Sequence, residues 1–331
     1  MTDNTEHPFA QYVRILGKGK KGSRSLSQQE ARDAFAMILR GEVEDVQIGA
    51  FLMLLRVKEE SPEEIAGFVQ ACRDTIAAPA GLQADVDWSS YAGKRKHLPW
   101  FIASLLLLND AGYRVFIHGA KGHTAGRLYT EDAFLALGLP IASNWQQAAQ
   151  QLDRHKLCFM PVEAMSPVLY RLINLRNLLG LRSPVHTLCR LINPLNAQYG
   201  FSSIFHPAYA DTHQQAAVLL QQPNMAVFKG EGGEIERKPN ATCLVKSVNN
   251  GITDEEKWPR LQEEQAEAEE VLDMQIFKAV WRGESRHEYG EQAIIGTLAI
   301  ALKQLQQPAE RQHAEQLANN LWQQRDRTRF D

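Results

Sequence analysis

The sequence predicts an α/β protein in which an N-terminal helical domain precedes an α/β domain with a mostly parallel central sheet. Three observations predict it. The first 77 or so residues carry helix caps and apolar residues at helical spacing. From residue 114 onward, short apolar runs alternate with helical stretches. The segment Ala77-Ala78-Pro79-Ala80-Gly81 separates the two patterns.

In Leu26-Ser27-Gln28-Gln29-Glu30, Ser27 caps a helix and Glu30, three residues on, closes a capping box. That helix runs to about Leu39, and Gly41 ends it. A second, from Val46 to Val57, has Gly49 and Ala50 small enough for close helix contact. Ser61-Pro62-Glu63-Glu64 opens a third: Ser61 caps, Pro62 is tolerated in the first turn, and the two acids complement the helix dipole. Past Gly81, strands are expected at residues 114–118, 157–160, 203–206, 225–229 and 241–245. Helices are expected at 100–111, 130–137, 167–179, 212–221 and from 261 onward. The Gln-rich tail, 303–324, keeps enough Leu and Ala to be helical.

A chain of 331 residues, 44% hydrophobic and 23% charged, can bury a sizeable core in one or two domains. The N-terminus lacks the basic start and apolar stretch of a secretory signal, and the longest near-apolar run, 98–108, is well short of the roughly 20 residues a membrane span needs. A cytoplasmic protein with no membrane partner is expected. Cys72, Cys158, Cys189 and Cys243 are scattered without metal-ligand spacing, which reads as buried free thiols, and no metal or cofactor is expected. The net charge of -3 is unevenly distributed. Residues 254–273 hold nine acids against Lys257 and Arg260, whereas residues 94–190 hold twelve Lys or Arg against five acids. If those cations share a face, they favour an anionic partner; dispersed, they are a solvated surface.

The run Gln47-Ile48-Gly49-Ala50-Phe51-Leu52-Met53-Leu54-Leu55-Arg56-Val57-Lys58, followed by Glu63-Glu64-Ile65-Ala66-Gly67-Phe68, resembles the N-terminal domain of the anthranilate phosphoribosyltransferases. Leu175-Arg176, Leu179-Gly180-Leu181-Arg182 and Asn193-Pro194-Leu195-Asn196 resemble that family's segment from its Val-Arg pair to its Asn-Pro turn. The resemblance implies the nucleoside phosphorylase/anthranilate phosphoribosyltransferase fold class. It implies a helical domain, 1–77, completed by helices from about 163–185, and an α/β domain, 78–331, carrying the former phosphoribosyl-diphosphate site. It also implies a homodimer through the helical domains, expected to bury apolar positions of the first and third helices.

The family's chemical motifs are altered. Its enzymes hold diphosphate on a GTGGDG turn, where glycines let backbone N–H groups approach one anion. Ser90-Tyr91-Ala92-Gly93-Lys94-Arg95-Lys96-His97 stands there, with one glycine and three cations. The family's His-Gly-Asn-Arg-Ser-Val-Ser-Ser run corresponds to His118-Gly119-Ala120-Lys121-Gly122-His123-Thr124-Ala125. Its magnesium-binding Asp-Glu pair is reduced to Glu234 in Gly232-Gly233-Glu234-Ile235, and His186 and Arg190 stand where Asn and Pro are expected. Loss of ligands with gain of charge is similar to the TrpD-like branch of the family, which binds DNA and RNA through a basic groove.

The residues expected to touch phosphate are first Lys94, Arg95, Lys96 and His97, just before a helix start whose N–H donors favour anions. Next comes the glycine-rich loop with Lys18, Lys20, Lys21 and Arg24, equally readable as a solvated loop. Lys121, His123 and Arg127 follow a strand, where α/β folds place ligands, and Arg171, Arg176, Arg182 and Arg190 surround a helix. Tyr91 is a candidate platform for an unpaired base, while Trp100 and Phe101 read as core. The acidic run 254–273 reads as a solvated helix and its leader, or as a cover for the basic groove.

The leading expectation is therefore a homodimer binding DNA and RNA with little base discrimination and no catalytic residues. The alternatives are a phosphoribosyltransferase or nucleoside phosphorylase-like enzyme acting on an unidentified base, and a scaffold for an acidic protein partner.

Overall fold

In the computed structural model, which describes residues 5–19, 21–122, 124–264, 267–305 and 310–331, the N-terminal region is helical. Its helices are α1 (Ala10–Gly17), α2 (Gln28–Leu39), α3 (Asp45–Lys58) and α4 (Pro62–Thr75). The expected capping box of Ser27 with Glu30 starts α2, and the expected Ser61 cap starts α4, where Glu64 closes a second box. α1 escaped the sequence reading because it has no side-chain cap and only Tyr12 and Leu16 buried.

The α/β part follows as β1 (Val86–Ser90), α5 (Phe101–Asp110), β2 (Val115–Gly119), α6 (Thr130–Leu137), α7 (Trp145–His155) and β3 (Leu157–Pro161). Short helices α8 (Val162–Met165), α9 (Pro167–Asn174), α10 (Arg176–Leu179) and α11 (Val185–Leu188) lead to β4 (Tyr199–Ile204), α12 (Tyr209–Leu219) and β5 (Asn224–Lys229). The chain ends with β6 (Cys243–Asn249), β7 (Ile252–Trp258), α13 (Met274–Arg282), α14 (Glu288–Gln304) and α15 (Arg311–Gln323). The sheet order is β3-β2-β1-β4-β5-β6-β7; β1 to β5 pair in parallel, and β6 and β7 are antiparallel additions.

β1 is the strand where the sheet order reverses, so the loops leaving the carboxyl ends of β1 and β4 open onto one crevice. β1 has only two large apolar residues, and its polar ones are satisfied inside. Ser90 Oγ contacts Thr130 and Glu234, and Asp87 lies 3.4 Å from His118 Nε2. Successive strand side chains face opposite layers: Phe116 joins the core shared with the helical domain, whereas Val115 and Ile117 join the core under α5 and α14.

The acidic run departs from expectation. Residues 254–258 belong to the exposed edge strand β7, and the next helix starts at Met274 rather than at 261. Acids on an edge strand oppose pairing with another sheet, and Glu255 and Glu256 also pair with Lys246 and Lys303.

The apolar residues of α2 and α4 do not await a partner subunit. Phe35, Ile38, Ile65 and Phe68 are buried where α2 packs on α4. Apolar residues left outside include Val46, 79% exposed, and Val57, 84%, on α3, with Leu178, 83%, on α10. Ala50 and the half-buried Met53 complete the α3 face.

Candidate functional site

Four loops meet at the crevice: residues 91–100 after β1, 120–122 and 124–129 after β2, 205–208 after β4 and 230–242 after β5. The turn after β1 keeps a backbone cradle, because Gly93 adopts φ +70°, a conformation costly for any other residue. The N–H groups of Ala92 and Gly93 converge on one acceptor, as in an anion site. That acceptor is part of the protein. Glu234 Oε1 accepts from Ala92 at 2.7 Å and Gly93 at 2.6 Å, and Oε2 accepts from Ser90 Oγ at 2.7 Å. Gly230 makes the returning turn possible, since a Cβ there would sit 1.6 Å from the Glu234 carbonyl oxygen.

The same pattern continues along the turn. Glu236 Oε2 accepts the Phe101 N–H at the start of α5, and its Oε1 lies 2.5 Å from Lys94 Nζ. Lys94 is 1% exposed and also faces Glu231 at 3.4 Å. Burial alone would lower its pKa, but Glu236 and Glu231 raise it and keep the ammonium charged. Glu269 accepts the Leu98 N–H at 2.9 Å, and its own N–H donates to Lys96 O. Burial pushes the Glu269 carboxyl up, but His287, His97 and the Leu98 N–H outweigh it and hold the group down at about 2.

The first-ranked cluster is therefore split by the structure. Arg95 and Lys96 are exposed. Lys94 is turned inward on Glu236, and His97 is buried, stacked on Tyr289 at 4.1 Å. Both were expected at phosphate; the reason for the difference is that internal carboxylates supply the anions this segment faces. Tyr91 is likewise no base platform: it is buried, and its hydroxyl meets His118 Nδ1 at 2.7 Å. Of the acidic run, Glu269 reaches this turn, docking on its backbone.

The other candidates separate into two groups. Lys18 and Lys21 are exposed on the loop before α2, and Arg24 forms a bidentate pair with Glu30 at 2.7 Å. Lys121 pairs with Glu131 at 2.9 Å and Arg171 pairs with Asp45, so the charge of each is partly neutralised locally. Lys20 and His123 lie outside the described residues.

Arg127, Arg176, Arg182 and Arg190 come together. Arg127 donates to the carbonyls of Ala92, Gly93 and Gly232, and Arg190 donates to Gly233 O at 2.9 Å, so two guanidinium groups hold the turn that carries Glu234. Arg176 reaches Thr124 Oγ1 at 2.8 Å. Burial lowers the Arg182 pKa, and Arg127, Arg190 and Arg176 lower it further, the signature of like charges gathered in one place. Among the described residues, Arg127, Arg182 and Arg190 form no ion pair within 4.0 Å. Their spacing, 127 to 190 along the chain, hides this convergence from sequence reading.

The site does not suit a diphosphate with magnesium. Its backbone donors are already bonded, Glu234 is spent on them, and no cluster of three or more metal-ligating side chains exists among the described residues.

Two family models match the chain: the helical bundle domain of a glycosyl transferase family over residues 11–76 and that family's a/b domain over residues 102–320. The chain belongs to this family. It is 32% identical over 206 residues to the uncharacterized protein YbiB of Escherichia coli (strain K12), covering 61% of this chain and 64%, under two-thirds, of that protein. It is 27% identical over 291 residues to the anthranilate phosphoribosyltransferase of Ignicoccus hospitalis, covering 86% and 85%. The anthranilate phosphoribosyltransferase of Saccharomyces cerevisiae, solved in complex with PRPP and Mg, superposes with a TM-score of 0.77 at 16% identity over 98% of this chain and 97% of that one. The likeness to the anthranilate phosphoribosyltransferases and the two-part fold implied by the sequence motifs thus hold. No described helix is long and apolar enough to cross a membrane.

Proposed function

We propose that this protein binds DNA and RNA through the arginine-lined crevice, with little discrimination among bases. The observation that carries the reading is the gathering of Arg127, Arg176, Arg182 and Arg190 around one crevice, with Arg95 and Lys96 exposed on a loop that borders it. Arg127, Arg182 and Arg190 form no ion pair within 4.0 Å among the described residues, and guanidinium groups suit the oxygens of an external phosphate. Contacts of this kind attract and position a strand without reading its sequence.

The test is a salt series with fluorescent single- and double-stranded oligonucleotides. Changing Arg95→Ala, Lys96→Ala and Arg182→Gln together is expected to weaken all strands alike. The slope of log affinity against log salt should flatten by about 0.9 per lost contact on duplex DNA and about 0.7 on single strands. An unchanged slope in a folded triple variant removes these residues from the interface.

A second reading, phosphoribosyl transfer to an unidentified base, is favoured by family membership and by Arg176 and Arg182, which the motif resemblance places at positions of the enzymes. Saturable pyrophosphate release from phosphoribosyl diphosphate and magnesium, screened over acceptor bases, would establish it in place of the first.

The protein is further proposed to work as a homodimer joined at the exposed α3 face. Val46→Asp with Val57→Asp is expected to convert dimer to the 37.3 kDa monomer in light scattering without loss of helix content. A wild-type monomer at working concentration would remove the dimer.

A further inference from the structure

Between the helical domain and the carboxyl end of β4 lies a cleft of about 150 Å³. Three guanidinium groups line it: Arg56 from α3, and Arg182 and Arg190 from the segment joining the domains. Against them stands one carboxyl, Glu60, whose pKa is raised because it is buried. Two polar atoms on the wall have no protein partner: Glu60 Oε2 and Ser183 Oγ, on residues 7% and 5% exposed. Buried polar atoms are nearly always bonded, so these mark places where a ligand donates or accepts. At the rim, Phe205 is 52% exposed, with the His206 ring against it edge-on at 5.0 Å and much of its own face open.

These features match one chemistry. A phosphate monoester suits Arg182 and Arg190; sugar hydroxyls or base N–H groups suit Glu60 and Ser183; and a flat heterocycle suits the Phe205 face. We propose that this cleft binds one nucleotide unit through its phosphate and its ring, either as a free nucleoside monophosphate or as the 5′-phosphorylated end of a strand. The strand form rests on the nucleic-acid reading above; the free form does not. The cleft is distinct from the turn filled by Glu234, and Arg190 borders both.

The test uses the full-length protein. Calorimetric titration with AMP, adenosine and inorganic phosphate is compared with the binding of internally labelled oligonucleotides carrying either a 5′-phosphate or a 5′-hydroxyl. AMP is expected to bind at least tenfold more tightly than adenosine or phosphate alone. Phe205→Ala, which changes an exposed ring and leaves the core intact, should weaken AMP about fivefold or more and leave phosphate unchanged. Arg182→Gln should abolish the advantage of AMP over adenosine. A 5′-phosphate preference of about tenfold, lost in both variants, identifies the strand end as the source; AMP binding without that preference identifies the free nucleotide. Strands that bind with no 5′-phosphate preference, together with no AMP binding at millimolar concentration, overturn the cleft while leaving nucleic-acid binding in place. AMP binding without any strand binding upholds the cleft and overturns the nucleic-acid reading.

Discussion

Lys94→Ala is expected to destabilise the protein by about 3–5 kcal/mol, the cost of removing one partner from a buried ion pair. Glu236 would keep its position under α5 with the Phe101 N–H as donor but without the ammonium 2.5 Å away that balances its charge. Urea unfolding should show a lower midpoint with an unchanged slope. The neighbouring Lys96→Ala, on an exposed side chain, should stay within about 0.5 kcal/mol of wild type. Binding of oligonucleotides below the unfolding transition should be unaffected by Lys94→Ala, because Lys94 is 1% exposed. A Lys94→Ala protein as stable as wild type, with weakened strand binding, would return this residue to the interface.

Glu234→Ala is expected to cost about 3 kcal/mol or more and to open an anion site. The Ala92 and Gly93 N–H groups and the Ser90 hydroxyl would lose their acceptor, and each buried polar group left unsatisfied costs about 1–3 kcal/mol. A small anion can take the vacated place, since the cradle donors and the Arg190 guanidinium face the same turn. Inorganic pyrophosphate should therefore raise the melting temperature of the variant by more than that of wild type, because a ligand that binds only the folded state stabilises it in proportion to occupancy. Equal responses of the two proteins to pyrophosphate would show that Glu234 does not close the cradle.

Much of the fold was legible in the sequence because its signals are local. Ser27 with Glu30 and Ser61 with Glu64 are three residues apart, and each pair closes a capping box. Thr130–Leu137 is the helix read from its apolar pattern. Elements without a local apolar pattern were missed: β1 reads as polar apart from Val86 and Trp88, and β7 reads as an acidic run. Their strand character comes from neighbours that hydrogen-bond to them, 29 residues downstream for Val86 with Val115 and across a tight turn for Ile252 with Asn249.

For the candidate site, the sequence by itself determined that the glycine-rich turn is replaced at residues 90–97, that one of the two metal acids is gone, and that arginine has arrived at 190. Only the tertiary structure decided which of the new charges face outward. Lys94 and Glu236 are 142 residues apart, and Gly93 and Glu234 are 141 apart, so no periodicity or local composition links them. Burying a charge is costly unless an opposite charge or a set of donors meets it. The folded chain therefore turned inward those cations and N–H groups for which β5 and the loop after it supply a carboxylate, and left Arg95 and Lys96, for which it supplies none, exposed.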